Sequence, residues 1–227
     1  MNALLRFYQS SVGKKIIMSL TGLFLCTFLL EHLIGNLLVF KGEETYNAYT
    51  EFMVANPLIR TIEIGLFAAL LFHPLIGFLL WLHNRKARST SYEDYKLAEN
   101  TQLASRITML SGTIILLFLI VHLRTFFVPL RFGDVHPSPY GLIQEAFSSL
   151  SYSLFYLVAL VLLGYHLKHG FQSAFQSLGL RHTKYNKLID TAAAIFWLII
   201  PLGFATIPIY FYWMSRYGQW AYAMGVH

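Results

Sequence analysis

Of the 227 residues, 56% are hydrophobic and 12% charged, and the mean hydropathy is +0.53, a balance that excludes an ordinary water-soluble globular domain. The net charge of +6 and pI near 9.4 arise from Lys and Arg gathered at the ends of apolar runs, with no basic groove interleaved with aromatics; this matches attraction to anionic lipid and gives no ground for a nucleic-acid partner. A single cysteine, Cys26, excludes an internal disulfide, and without a C-x-x-C-H there is no covalent haem attachment, so Cys26 reads as a small buried hydrophobe.

In chain order, LLRFYQSSVG before Lys14 mixes apolar, basic and hydroxyl residues and predicts a short interfacial helix. Five runs are then long and apolar enough to cross a bilayer, for which about 20 helical residues suffice. They are placed at Ile16–Phe40, Leu58–His83, Ile107–Leu130, Ser149–Phe171 and Thr191–Met214, an all-α bundle forming one transmembrane domain over residues 1–227. The first run is too long for a secretory signal and lacks a small-residue cleavage pattern, so it is kept as an anchor. Between spans, KGEETYNAYTEFMVANP predicts a compact connection with Pro57 near the first turn of the next helix. NRKARSTSYEDYKLAENTQLAS is the longest polar loop, with room for a short helix, and FGDVHPSPYG is rich in turn residues. Pro201 and Pro208 are expected to bend the fifth span.

Lys and Arg near span ends are retained on the cytoplasmic side. With the N-terminus inside, that side collects Arg6, Lys14, Lys15, Arg85, Lys86, Arg88, Lys96, Arg106, Lys168, Arg181, Lys184 and Lys187, leaving Lys41, Arg60, Arg124, Arg131 and Arg216 outside. This predicts a multi-pass protein of the inner (cytoplasmic) membrane with a cytoplasmic N-terminus.

Each of the first four spans carries a histidine within it, namely His32, His73, His122 and His166. Polar groups at this depth are costly and face partners inside a bundle. His32 lies 16 residues above Ile16 and His122 lies 16 above Arg106, which at about 1.5 Å per residue puts both roughly 24 Å from the inner end. His73 is 10 residues from His83, and His166 is comparably close to its own inner end, so both lie roughly 8 to 15 Å up. The four therefore divide into an outer pair, His32 with His122, and an inner pair, His73 with His166. Two imidazoles at one height on different helices are what a bis-histidine haem iron requires, whereas zinc wants four ligands converging on one point. Gly35, Gly77 and Gly170, three or four residues beyond His32, His73 and His166, are expected to leave room for porphyrin edges. The competing reading is that they let helices pack closely.

Over nearly the whole chain, EHLIGN with GEETYNAY, PLIRTIEIGLFAALLFHPLIG, SGTIILLFLIVH and YHLKHGFQSAFQSLG resemble the di-haem cytochrome b membrane anchor of succinate:quinone oxidoreductases and fumarate reductases, the type with five helices in one polypeptide. That resemblance implies two haem b groups ligated first span to third and second to fourth. It also implies a flavoprotein subunit for the dicarboxylate chemistry, a docked iron–sulfur subunit, and electron exchange with quinone, commonly menaquinone. One departure stands out: some members carry a glutamate two residues before the fourth-span ligand, where this chain has Gly164. A proton path through that position therefore has no support. Two rivals are a hydrogenase- or formate-dehydrogenase-type di-haem anchor and a proton-coupled transporter using the histidines as a relay.

Three carboxylates are candidates at the quinone site. Glu31, beside His32, is read as a proton carrier or as a neutral hydrogen-bonded group with a raised pKa. Glu63 is read as a candidate or as the partner of Arg60 in an interfacial ion pair, and Glu51 is the weaker third. Arg124 is expected to meet a haem propionate or to snorkel to headgroups. His83, His136, His182 and His227 lie at span ends or in loops, and His169 reads as interfacial.

Overall fold

The structure, a computed structural model, describes residues 10–86, 101–133 and 137–223. Among these there is no strand. Of the expected interfacial segment before Lys14 only Ser10 onward is described, as the start of the first span, and the rest of it, most of the long polar loop, His136 and His227 lie outside them.

The first span is α1 (Ser11–Leu37), tightened into a 3-10 turn over Leu38–Lys41. Ser10 caps α1, its Oγ accepting from Gly13 N at 2.9 Å and so satisfying one of the donors a helix start leaves bare. After α2 (Glu43–Ala55), the second span is α3 (Pro57–Lys86), with Pro57 at its first position as expected and Asn56 Oδ1 accepting from Leu58 N at 3.0 Å. The third span runs through α4 (Thr101–His122), a π turn at Leu123–Phe127 and α5 (Val128–Phe132). Then come α6 (Pro139–Phe147) and the fourth span, α7 (Leu150–Ser177). The fifth span joins α8 (Asn186–Ala194), a second π turn at Ile195–Ile199 and α9 (Ile200–Ala223). All five runs meet the length and hydropathy of a membrane crossing, and each starts or ends within a few residues of its expected bounds.

Both π turns end two residues before a proline, Pro129 in one case and Pro201 in the other. Proline has no N–H for the carbonyl four residues back and its ring crowds that carbonyl, so the helix opens by one residue instead of breaking. Pro208 sits inside α9, which runs on past it. At the other end of α7, Gly179 takes φ +71° and Leu180 N donates to Phe175 O at 2.9 Å, a Schellman stop that only a glycine adopts without strain.

The bundle is inside-out relative to a soluble protein. Ile64 is 73% exposed, Leu188 69% and Val158 60%; such faces are stable against hydrocarbon and not against water. Inside, α7 packs on α1, α4 and α9, while α1 also packs on α3 and α9, and α3 touches α4. Two clusters hold these contacts. One, around Cys26, Leu167, Phe171, Ile189 and Ala193, lies toward the end where the first span begins. The other, around Val39, Tyr46, Phe147, Tyr156, Ile207 and Phe211, closes the far end. There α2 and α6 are clipped together: Asn47 Nδ2 donates to Ser138 Oγ at 3.0 Å, Asn47 Oδ1 accepts from Tyr140 N at 3.0 Å, and Ser138 Oγ donates to Glu43 Oε1 at 2.8 Å.

Candidate functional site

The structure brings the four span histidines together two by two. His32 of α1 and His122 of α4 lie with ring centroids 5.9 Å apart and planes at 85°; His73 of α3 and His166 of α7 lie 6.3 Å apart at 74°. All four rings are partly buried. Among the described residues no three His, Cys, Asp or Glu side chains converge, so these are two separate two-donor sets.

The spacing fits an iron between the rings. A metal–imidazole bond of about 2 Å, with about 1.2 Å more from nitrogen to ring centre, would set two ring centroids roughly 6.4 Å apart on opposite sides of one metal. Crossed ring planes are compatible with that arrangement, because each imidazole can turn about its own metal–nitrogen bond.

The neighbours of the rings decide which nitrogen is free. Thr21 Oγ1 donates to Ile17 O at 2.8 Å, so its 3.2 Å contact with His73 Nδ1 is one in which the ring donates. Ser111 Oγ donates to Thr108 O at 3.1 Å and stands 3.5 Å from His166 Nδ1 in the same sense. Tyr152 OH gives its one proton to Thr125 Oγ1 at 2.8 Å, so Tyr156 OH donates to Tyr152 at 3.2 Å and accepts from His122 Nδ1 at 3.1 Å. In these three imidazoles the proton is held on Nδ1 and the Nε2 lone pair is left for a metal. His32 differs. Asn36 Nδ2 donates to the His32 carbonyl at 2.8 Å and lies 3.3 and 3.5 Å from the two ring nitrogens, fixing neither tautomer.

Two glycines make space for the rings. A Cβ on Gly22 would lie 3.1 Å from His73 Cε1, and one on Gly112 would lie 3.2 Å from His166 Cε1. Neither was expected as a site residue, yet the signal is in the sequence: Thr21-Gly22, Phe28 and His32 recur at identical spacing as Ser111-Gly112, Phe118 and His122. Each phenylalanine sits one turn before its histidine, with centroids at 5.1 Å for Phe28–His32 and 5.8 Å for Phe118–His122. The first and third spans are thus equivalent halves, each carrying one far-end histidine and backing the near-end histidine of the span that follows.

Of the three glycines expected to admit porphyrin edges, Gly35 and Gly77 face other side chains, whereas the space at Gly170 is open. The space a Gly35 side chain would take is filled by Tyr49, whose Cε1 and Cζ lie 2.8 Å from the Cβ position, and Gly77 faces Met18 Cε at 3.2 Å. Nothing lies within 4 Å of the Gly170 position.

Glu31 is on an exposed face of α1, away from the rings, and accepts from Tyr49 OH at 2.9 Å. Burial, then the Glu31 carboxylate that takes its hydrogen bond, pushes the Tyr49 phenol up to about 12. Burial likewise pushes Tyr46, which donates to Asn36 Oδ1 at 3.2 Å, up to about 12. Glu63 pairs with Arg60, and Glu51 is exposed on α2. Arg124, exposed, lines a cavity of about 750 Å³ at the far end together with Glu145 and Tyr152. His169 is exposed one turn past His166, His83 Nε2 stands 3.2 Å from Ser11 Oγ, and His182 lies in the loop after α7.

The fold and site define a helical membrane protein of five spans with two histidine pairs between its first four. No protein-family model, curated protein or solved structure matches the chain.

Proposed function

We propose that the chain is the cytochrome b membrane anchor of a succinate dehydrogenase or fumarate reductase (respiratory complex II), passing electrons between an iron–sulfur subunit and membrane quinone by way of two bis-histidine haem b groups. The observation that carries this reading is the separation of the two imidazole pairs, 5.9 and 6.3 Å, close to the span across one axially ligated iron. Neither pair makes a direct ring-to-ring hydrogen bond, so a proton relay within a pair would need a further molecule between the two imidazoles.

His73 and His166 would hold one haem, His32 and His122 the other. Bound haem supplies reversible one-electron exchange. The remaining work belongs to the protein. Thr21, Ser111 and Tyr156 hold Nδ1 protons and so keep Nε2 basic. Phe28 stacks on His32 and Phe118 packs at a tilt against His122, giving each far-end ring an apolar neighbour. Glu31, Glu63 and Glu51 remain the carboxylate candidates for quinone protonation, with Glu31 nearest in sequence to a ring.

Charge placement supports a cytoplasmic N-terminus in the inner (cytoplasmic) membrane. The near-end pair then faces the iron–sulfur and flavoprotein subunits of a tricarboxylic-acid-cycle enzyme of the respiratory chain. The sequence resemblance favours menaquinone as the quinone. A reduced-minus-oxidised optical spectrum of the intact complex, with a haem-to-protein ratio and a succinate-to-quinone assay, tests this. Two b-type haems per chain and succinate-linked reduction are expected. Absence of b-type bands would favour a transporter, and haem without succinate activity a different oxidoreductase anchor.

A further inference from the structure

Between α6 and α9 lies a small cavity of about 100 Å³, lined by Tyr140, Gln144, Tyr210, Phe211, Met214 and Ser215. Phe211 is its buried member, and Tyr140 and Tyr210 stand against it with centroids at 5.4 and 5.2 Å and planes at 73° and 89°. The three rings meet at near right angles, as a floor and two walls.

The lining is rich in acceptors and poor in positive charge: among the described residues no Lys, Arg or His borders the space. Among those residues the Tyr140 and Tyr210 hydroxyls and the Gln144 side-chain amide also meet no hydrogen-bond partner. Ser215 Oγ spends its proton on Tyr212 O at 2.8 Å and keeps its lone pairs. Gln144 stands in the last turn of α6, where the helix dipole is negative. The Glu43 carboxylate is close at hand, bonded to the Ser138 hydroxyl that caps α6. Burial first, then Tyr210 and Glu43, raise the Tyr140 phenol above its ordinary value, so this wall stays neutral. Ring systems, neutral oxygens and a neighbouring carboxylate stabilise an ammonium and disfavour a phosphate or carboxylate.

Size and depth narrow the class. Whole organic ligands fill about 300 Å³ or more, so only the end of a molecule enters this space. Tyr210 to Ser215 belong to the last turns of the fifth membrane run, and Tyr210 meets Phe40, at the end of the first, at 5.1 Å. Trp213 and Tyr217 stack at 5.3 Å on the same stretch of α9. Aromatic belts of this kind mark the headgroup level of a bilayer. Phe40, Ile209 and Trp213 are exposed and offer acyl chains an apolar face.

We propose that this cavity seats the ammonium group of a phosphatidylethanolamine from the far-end leaflet. Phe211 and the two tyrosine rings box the charge, while Gln144, Ser215 and the phenol oxygens accept from its N–H groups. A choline headgroup brings the same charge with no N–H to give, and a free amine brings it with no acyl chain. The site is independent of haem and quinone, so it is tested apart from the electron-transfer reading.

The test takes the protein as purified from its membrane in a mild detergent, strips it of lipid and titrates it by native mass spectrometry. The probes are dilauroyl phosphatidylethanolamine, the corresponding phosphatidylcholine and phosphatidylglycerol, and free ethanolamine. One phosphatidylethanolamine per chain should bind about threefold or more tighter than either other lipid, the worth of its hydrogen bonds, with no free ethanolamine held at the same concentration. Tyr210→Leu removes a wall and should weaken that binding by about five- to thirtyfold, the range of a desolvated cation–π contact. Gln144→Leu, at an exposed position, should weaken it by about two- to tenfold. Trp213→Leu takes a ring from the same belt but not from the cavity and should change nothing. Equal binding of the three lipids, preference for phosphatidylglycerol, free ethanolamine held as tightly as the lipid, or equal losses in Trp213→Leu and Tyr210→Leu would each overturn the assignment. Should Tyr210→Leu fail to fold, Gln144→Leu against Trp213→Leu decides it, and equal affinities in those two variants would count against the site.

Discussion

Gly164 of α7 and Trp197 of the fifth span meet backbone to backbone: the Trp197 carbonyl oxygen lies 2.8 Å from where a Gly164 Cβ would stand. Pro201, four residues after Trp197, has no N–H for that carbonyl, which lies within the π turn at Ile195–Ile199. This explains why no carboxylate occupies position 164: a side chain there would force the two spans apart. Gly164→Ala is expected to destabilise by about 1–3 kcal/mol, the usual cost of overpacking. Pro201→Ala restores the missing donor, so the double variant should lose less than the sum of the singles by about 0.5 kcal/mol or more. Apparent Tm of the four proteins in detergent decides it; strict additivity would show that the contact is not shared.

The two hydroxyl–glycine pairs give a second prediction. Gly112→Val places branched carbons against the His166 ring, and Gly22→Val does the same to His73. Each should remove one haem and leave the His32–His122 site loaded, halving the haem-to-protein ratio. Gly65→Val is the control, since nothing lies within 4 Å of that position. A full haem complement in Gly112→Val would contradict the role given to this glycine.

Replacing the histidines singly should sort them by pair. His32→Ala and His122→Ala are expected to lose the same spectral component, and His73→Ala and His166→Ala the other, as the ring contacts pair them. If His32→Ala and His73→Ala abolished the same component, the two-level scheme would be wrong.

The spans, the four histidines and their pairing by height were legible because hydropathy and the 1.5 Å helical rise are local properties of the sequence. What escaped depends on rotation about helix axes and on chain reversal. Gly35 sits on the expected turn beyond His32, but α2 folds back and fills the space with Tyr49. Glu31 adjoins His32 in sequence, and a rotation of about 100° per residue carries it to the outer face. Tyr156 carries no signal in an apolar span, since its hydroxyl acquires meaning only once α4 and α7 are side by side. The repeated hydroxyl–glycine, phenylalanine and histidine pattern was visible throughout and needed only the first and third spans to be aligned.

The far-end tyrosines predict an alkaline limit. Tyr46 and Tyr49 stand at about 12 in the folded chain against an ordinary value of 10. The fold holds these protons more tightly than the unfolded chain does. Their contribution is therefore complete below pH 10 and is lost as pH rises toward 12. Thermal unfolding in detergent should show stability falling across that window, with a shallower fall in Tyr49→Phe. An identical slope in the variant would mean that the Tyr49–Glu31 contact carries none of the dependence.

The tautomer assignments lead to the last prediction. His73 Nδ1 lies against the Thr21 hydroxyl, whose own proton is committed to Ile17 O, and the His73 ring also bonds the Met18 carbonyl; His166 likewise meets Ser111, committed to Thr108 O, and the Thr108 carbonyl itself. An imidazole that donates at Nδ1 is the more electron-rich at Nε2, which favours the oxidised, more positive metal. Thr21→Val keeps the shape of the side chain and removes the hydroxyl acceptor, leaving the ring only the Met18 carbonyl. The near-end haem should then bind about 10- to 100-fold more weakly and titrate at a higher midpoint potential. Ser111→Ala should act in the same direction and by less, because its contact with His166 is longer, 3.5 Å against 3.2 Å. The far-end potential should not move in either variant. A structural role for Thr21 alone would lower haem content without shifting the midpoint of the haem that remains, so a redox titration of the residual near-end component separates the two explanations.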